Sequence, residues 1–170
     1  LLHQDIEGLN ILVTGAGGSI GSEICREILR DSPKKLVLLE LNELVLYQAE
    51  IALKRLSSIP IVPCLGSVDD SKLVKNLLTK HEIQTVYHAA AYKHVPLIEQ
   101  NQVEGLNNNV LGTQSLITDC MESEVSSFVL ISTDKAVRPT SVMGASKRIA
   151  EMIVQDTARC FPERNLGIVR

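Results

Sequence analysis

Three side chains that can hold or pass a proton stand in a row at Thr133, Asp134 and Lys135, directly at the end of the apolar run SFVLIS (127–132). Lys147 follows in MGASK, and Met143 stands four residues before it. A hydroxyl, a carboxyl and two amines gathered near a strand end are equipment for acid–base chemistry. A carboxyl whose pKa is raised in a dry site donates a proton, and an amine whose pKa is lowered by burial accepts one. A surface Asp–Lys pair would read the same way, but open α/β sheets place their ligands at strand ends, which favours the functional reading. Four residues make about one helical turn, so Met143 and Lys147 share a helix face. Met143 cannot exchange a proton, because a thioether is only a weak acceptor.

The elements that must position these groups are legible from hydrophobic periodicity. Six short runs, 10–14, 35–40, 59–64, 85–90, 127–132 and 166–170, are apolar almost throughout, as expected of strands in a parallel sheet covered on both faces. Helical spacing separates them. Ile20, Ile24, Cys25, Ile28 and Leu29 mark one face, and Leu73, Val74, Leu77 and Leu78 a shorter one. Val103, Leu106, Val110 and Ile117 suggest a long helix after the fourth strand, and Ile149, Ile153 and Val154 the helix that carries Lys147. Alternating strands and helices predict a doubly wound α/β sheet, a Rossmann fold, over residues 1–170, with 1–9 as a linker remnant. The sixth run reaches Arg170, so the reading is either a small binding module or a fragment of a longer protein.

TGAGGSIGS follows the first strand and opens the first helix, with Gly15, Gly18 and Gly21 spaced three apart and Gly17 offering a second pattern. Such a turn brings backbone N–H groups up to a pyrophosphate at a helix N-terminus, with Ser19 and Ile20 in the same turn. Glu40 ends the second strand, where a carboxylate accepts from adenosine ribose hydroxyls and repels a 2′-phosphate. No Arg follows it in ELNEL, so NAD is expected rather than NADP. A P-loop is excluded, because no Gly-Lys-Ser/Thr ends the turn; a methyltransferase could share turn and acid but has no use for STDK. Ser67 and Val68 in GSVDD are candidate adenine contacts, with an ordinary loop as the alternative. Ala89, Ala90 and Ala91 would let a cofactor lie flat on the backbone. Lys93 and His94 then point to the mouth of the crevice, with solvated surface charge as the bland reading for both.

Composition restricts the partners. Net charge is −3, aromatic content is 3% and Trp is absent, which argues against nucleic acid. Cys25, Cys64, Cys120 and Cys160 form no CxxC pair and lie in apolar segments, as expected of buried free thiols in a reducing compartment, with no metal site. No apolar run approaches the ~18 residues of a membrane span. A cytoplasmic location is expected.

TGAGGSIG, HAAAYKHVP, NNNVLGTQ and STDKAVRPTSVMGASK together resemble the extended short-chain dehydrogenase/reductase superfamily. More narrowly, they are similar to the UDP-N-acetylglucosamine 4,6-dehydratases of bacterial polysaccharide synthesis, from about Gly8 to Arg170. The resemblance implies a lyase that oxidises sugar C4 with NAD, removes water across C5 and C6, and returns the hydride to C6. It implies a UDP-sugar substrate with Lys93 and His94 near it, a sugar-binding lobe following Arg170, a homo-oligomeric whole enzyme, and in some members a membrane-anchored region outside this chain. Lys135 then matches the base at C5, Asp134 the acid at the C6 hydroxyl, Lys147 the nicotinamide-ribose ligand and Asn109 the helix asparagine of the active-site water network. Polar helix surface is the alternative for Asn109. Most relatives carry Tyr where this chain has Met143, which leaves Thr133, or a water between Thr133 and Lys147, to take the C4 proton; Ser132 is a second hydroxyl. A non-catalytic NAD-binding domain, or an epimerase or reductase of the same superfamily, stays open.

Overall fold

The six apolar runs become six parallel strands: β1 (Asn10–Thr14), β2 (Lys35–Glu40), β3 (Ile61–Leu65), β4 (Thr85–His88), β5 (Ser127–Ile131) and β6 (Asn165–Val169). The computed structural model describes residues 6–170. Strand order is β3-β2-β1-β4-β5-β6. Alternate residues of each strand face opposite sides of the sheet, and both sides are covered. Ile11, Val13, Leu36 and Leu38 pack with Cys25 and Ile28 of α1 (Ser19–Arg30) and Leu46 and Leu53 of α2 (Glu43–Lys54). On the other side Leu12, Val37, Val86 and Phe128 pack with α3 (Ser71–Lys80), α6 (Gly112–Met121) and α7 (Val142–Cys160). Double coverage buries β1, β4 and the middle of β2, which is why these strands are apolar almost throughout; the expectation does not hold toward the edges, where β3 and β5 alternate between more and less buried positions and both ends of β6 are exposed.

Of the expected linker remnant, residues 1–5 lie outside the described residues. Ile6 is buried in the core cluster that includes Cys25 and Ile28 and Leu9 packs against it, whereas Glu7 and Gly8 are exposed. The strand expected to reach Ala90 stops at His88, which leaves Ala89 to Ala91 in the connection beyond it.

The long helix expected after β4 is interrupted. Two short helices, α4 (Val95–Gln100) and α5 (Gln102–Leu106), meet at Asn101, whose φ of −134° and ψ of 55° break the ladder. A π-helical turn (Asn107–Leu111) then leads into α6. Its wider winding alters the phase of the residues before it relative to those after it. Val103, 68% exposed, therefore does not share the buried face of Ile117. Ile20 also departs from its expected apolar face: it is 52% exposed, whereas Cys25, Ile28 and Leu29 are buried. Among the cysteines, Cys25 and Cys120 are buried free thiols as expected, and burial pushes the Cys25 thiol up to about 12. Cys64 is half-buried and Cys160 is exposed, because Cys160 falls at the solvent side of the last turn of α7. Among the described residues no helix is long and apolar enough to cross a membrane.

Candidate functional site

Strand order reverses direction between β1 and β4, and a crevice opens outside their carboxyl ends, where doubly wound sheets bind ligands. The glycine-rich turn forms one wall. Gly15 has φ of 63°, and a Cβ there would stand 2.7 Å from both the Cα and the N of Ala90. Gly21 must also lack a Cβ, which would overlap the Gly15 carbonyl as α1 starts. The turn thus draws the β1–α1 connection tightly against the chain leaving β4. A Cβ on Gly18 would meet only the Gly15 carbonyl oxygen, at 3.3 Å, so open space lies over this part of the turn.

Two cavities adjoin along this wall. The first, of about 400 Å³, is floored by Gly15, Gly18 and Ala89 to Ala91 and rimmed by Glu40, Ser67 and Val68. Glu40 is fixed by backbone donors: Oε1 accepts from Leu41 N at 2.9 Å and Asn42 N at 3.1 Å, and Oε2 accepts from Gly17 N at 3.2 Å. Two lone pairs on each oxygen leave Oε2 able to accept one further donor. Gly17 thus holds Glu40 instead of lining the cavity, and a Cβ on it would collide with Val45.

The second cavity, of about 320 Å³, runs from Gly18, Ser19, Ile20 and Gly21 to Lys93, Thr133, Lys135, Met143 and Lys147. Ile20 is exposed because it lines this space. α7 begins where the Ser141 side chain accepts from Gly144 N at 3.1 Å and the Glu99 carboxylate accepts from Val142 N at 2.7 Å. The helix then presents Met143 and Lys147 to the end of β5. Lys147 is 6% exposed and its Nζ donates to the Ile131 carbonyl at 2.6 Å. Desolvation lowers its pKa to about 8, with Glu151 acting in the opposite sense. Met143 is 3% exposed and contributes apolar wall. Thr133 Oγ1 donates to Asp134 Oδ1 at 2.9 Å at the mouth.

Burial distributes the acid–base character differently from the sequence expectation. Lys135, expected to be a buried amine, has a side chain 58% exposed, and the buried lysine is Lys147. Asp134, expected to need a raised pKa, has a side chain 89% exposed and does not line the cavity. The Thr133 hydroxyl bond, followed by the Lys135 charge, holds its carboxyl below the usual range. Both residues sit on a single 3-10 turn, Asp134–Ala136, which projects outward from β5. His94 lies outside both cavities, in an apolar groove with Leu97 and Ile98, while Lys93 reaches back to donate to Ser19 Oγ at 3.0 Å.

Asn109 is neither polar surface nor a cavity-lining group. It is 1% exposed; its Oδ1 accepts from Tyr92 N at 2.8 Å, and its Nδ2 donates to Tyr92 O at 2.9 Å and Ser146 Oγ at 3.0 Å. It ties the cavity wall at Tyr92 to α7. The signals missed in the sequence are His88, Ser146 and Glu151. His88 ends β4 with Nδ1 2.7 Å from Thr14 Oγ1 and Nε2 2.9 Å from Thr113 Oγ1. Burial, followed by the Lys147 charge, lowers its pKa to about 3, so the ring is neutral. A polar residue inside an otherwise apolar strand, and an acid one turn beyond Lys147, were the available clues.

Residues 11–170 match the family described as polysaccharide biosynthesis protein. The chain is 46% identical over 157 residues to the capsular polysaccharide biosynthesis protein CapD of Staphylococcus aureus, covering 91% of this chain and 26% of that protein. It is 32% identical over 149 residues to an inverting UDP-N-acetylglucosamine 4,6-dehydratase of Campylobacter jejuni, covering 85% of this chain and 42% of that one. Among solved structures, the UDP-Glc/GlcNAc 4-epimerase of Campylobacter jejuni shares the fold with a TM-score of 0.86 at 24% identity, over 95% of this chain and 52% of that chain. The chain therefore spans from about a quarter to under half of these two curated relatives.

Proposed function

The chain belongs to the polysaccharide biosynthesis protein family of extended short-chain dehydrogenases/reductases, and from that premise we propose that it is the dinucleotide-binding domain of an NAD-dependent UDP-N-acetylglucosamine 4,6-dehydratase. The observation that carries this reading is the second cavity, in which a buried lysine, Lys147, and the Thr133 hydroxyl share a wall with a thioether, Met143.

The crevice suits a dinucleotide. The wall at the start of α1 is bare backbone, drawn in tightly at Gly15 and Gly21 and with open space over Gly18, and Glu40 keeps one acceptor site for a ribose hydroxyl. When bound, NAD supplies reversible hydride transfer, away from sugar C4 and back to C6. Lys147 is cationic in most molecules at neutral pH, since its pKa is about 8, and it stabilises the alkoxide that develops at C4. Thr133 relays the C4 hydroxyl proton to the Asp134 carboxylate to which it donates, a role that the Met143 thioether cannot fill. Lys135 takes the C5 proton and Asp134 protonates the departing C6 hydroxyl. Both last roles need the desolvation that a covering nucleotide sugar brings, because burial moves a carboxyl up and an amine down.

The test is NMR analysis of the product that the full-length enzyme makes from UDP-N-acetylglucosamine. A 4-keto-6-deoxy sugar is expected, and Asp134→Asn and Lys135→Ala are each expected to reduce its formation by ~10²–10⁴-fold with cofactor affinity kept. A C4 epimer formed without loss of water would assign an epimerase instead.

A further inference from the structure

Glu151 stands one helical turn after Lys147 on α7 and is 0% exposed. The proposed reaction does not use it, yet four donors converge on its carboxylate. Oε1 accepts from Ser132 Oγ at 2.7 Å and from Arg170 Nε at 2.8 Å. Oε2 accepts from Arg148 Nη1 at 2.9 Å and from Arg170 Nη2 at 2.8 Å. A carboxylate has about four lone-pair sites, so this one is filled, which is what allows a charge to stay buried.

The placement of those bonds matters. Lys147 donates to the carbonyl of Ile131, and Glu151 accepts from the side chain of the next residue, Ser132. Successive turns of α7 thus hold successive residues at the end of β5, one by a cation and one by an anion. Ser132 N also donates to Val169 O at 2.6 Å, which closes the same point onto β6. The turn carrying Thr133, Asp134 and Lys135 departs from there.

We propose that Glu151 is a positioning residue of this site: its carboxylate fastens the end of β5 to α7 and places a fixed negative charge one helical turn from the Lys147 ammonium. The proposal rests on Lys147 being a working residue of the site, but not on the reaction being a dehydration.

The charges around Lys147 are consistent with this. Burial pulls its pKa down, and Glu151 opposes that pull. His88, facing it from β4, is neutral at physiological pH and adds no repulsion there. Lys93 and Lys135 border the same cavity from their loops, and Asp134 lies at its mouth, exposed to solvent. Arg148 and Arg170 approach from the far side, and both are engaged by Glu151. The Arg170 bonds above all, aided by Ser132 and Arg148, hold Glu151 down to about 2, so its charge is constant across the range in which Lys147 titrates.

Two substitutions should therefore move Lys147 in opposite directions. Glu151→Gln keeps the shape and removes the anion, so the Lys147 pKa falls. Arg170→Gln removes the cation that offsets Glu151, so the Lys147 pKa rises. The measurement is a ¹³Cε NMR titration of lysines in the full-length enzyme without cofactor or substrate, with the Lys147 signal assigned by Lys147→Arg. The expected result is a fall of about one pH unit or more in Glu151→Gln and a rise in Arg170→Gln. Loosened packing alone would shift both variants the same way, toward the solvated value. An unmoved midpoint in folded Glu151→Gln, or shifts of equal sign, overturns the proposal. If Glu151→Gln fails to fold by circular dichroism, Arg170→Gln decides: a rise with amide-exchange protection of α7 around Lys147 unchanged supports the proposal, and an unmoved or lowered midpoint, or a rise accompanied by lost protection, overturns it. Because no turnover is measured, failure here is distinct from failure of the dehydratase reading.

Discussion

Replacing Gly15 by Ala isolates the contact on which the crevice wall depends. Two costs add at this position. A residue with a Cβ held at φ of 63° is disfavoured by roughly 1–2 kcal/mol. The new methyl would also stand 2.7 Å from the Cα and N of Ala90 and 2.9 Å from the carbonyl carbon of Ala89. Those are backbone atoms of the chain leaving β4 and cannot turn aside as a side chain would; overpacking of this kind costs about 1–3 kcal/mol. The sum, about 2–5 kcal/mol, corresponds to a fall of ~1–2.5 M in the urea midpoint for a slope of ~2 kcal/mol/M. Gly18→Ala is the control. Its methyl meets one oxygen at 3.3 Å at ordinary φ, so stability should change by less than about 1 kcal/mol. It nevertheless enters the space shared by both cavities, so NADH affinity measured by fluorescence should drop at least about tenfold. Equal urea midpoints for Gly15→Ala and the parent chain would refute the close approach of the turn to Ala90. Unchanged NADH affinity in Gly18→Ala would refute the placement of the dinucleotide along this wall.

Calorimetry should show NAD(H) bound more tightly than NADP(H), and Glu40→Gln should narrow the gap by roughly 1.5–3 kcal/mol, the worth of one charge-assisted bond; tighter NADP(H) binding by the parent chain would contradict the assigned role of Glu40. In the full-length enzyme Thr133→Val should lower turnover by ~10²-fold or more, whereas Met143→Ala should chiefly cost about 2–5 kcal/mol of stability, as expected for truncating a buried methionine. A harmless Thr133→Val together with a well-folded but inactive Met143→Ala would reverse those assignments. His88 is neutral in the fold with a pKa of about 3 against 6.5 unfolded, so the unfolded chain takes up the extra proton between those values and stability falls as pH drops from 6.5 toward 3. At ~1.4 kcal/mol per unit the loss is up to about 5 kcal/mol, and His88→Gln should be less stable at neutral pH but flatter over that window; an acid limb of unchanged slope would show that the ring charge is not responsible.

Much of the fold is written locally. β1 and β2 occupy the runs read from composition, because a strand covered on both faces must be apolar at every position and few other elements demand that. The glycine spacing and Glu40 mark the crevice for a similar reason: a missing Cβ and a carboxylate at a strand end are requirements of single residues. Tertiary structure decided what depends on neighbours distant in sequence. Thr133, Asp134 and Lys135 read as the proton-handling group, yet the outward 3-10 turn leaves Asp134 and Lys135 in solvent, while α7 lying against β5 buries Lys147 and gives it the lowered pKa. Asn109 could be polar surface by its spacing; the π-helical turn rotates it inward, where Tyr92 and Ser146 consume its amide. Glu151 carried only the hint of its distance from Lys147, since its donors arrive from β5, from α7 and from the end of β6. Periodicity is a property of a few consecutive residues and can be read from them. Desolvation and charge are properties of everything the folded chain brings within a few ångströms, and they exist only once the sheet has closed.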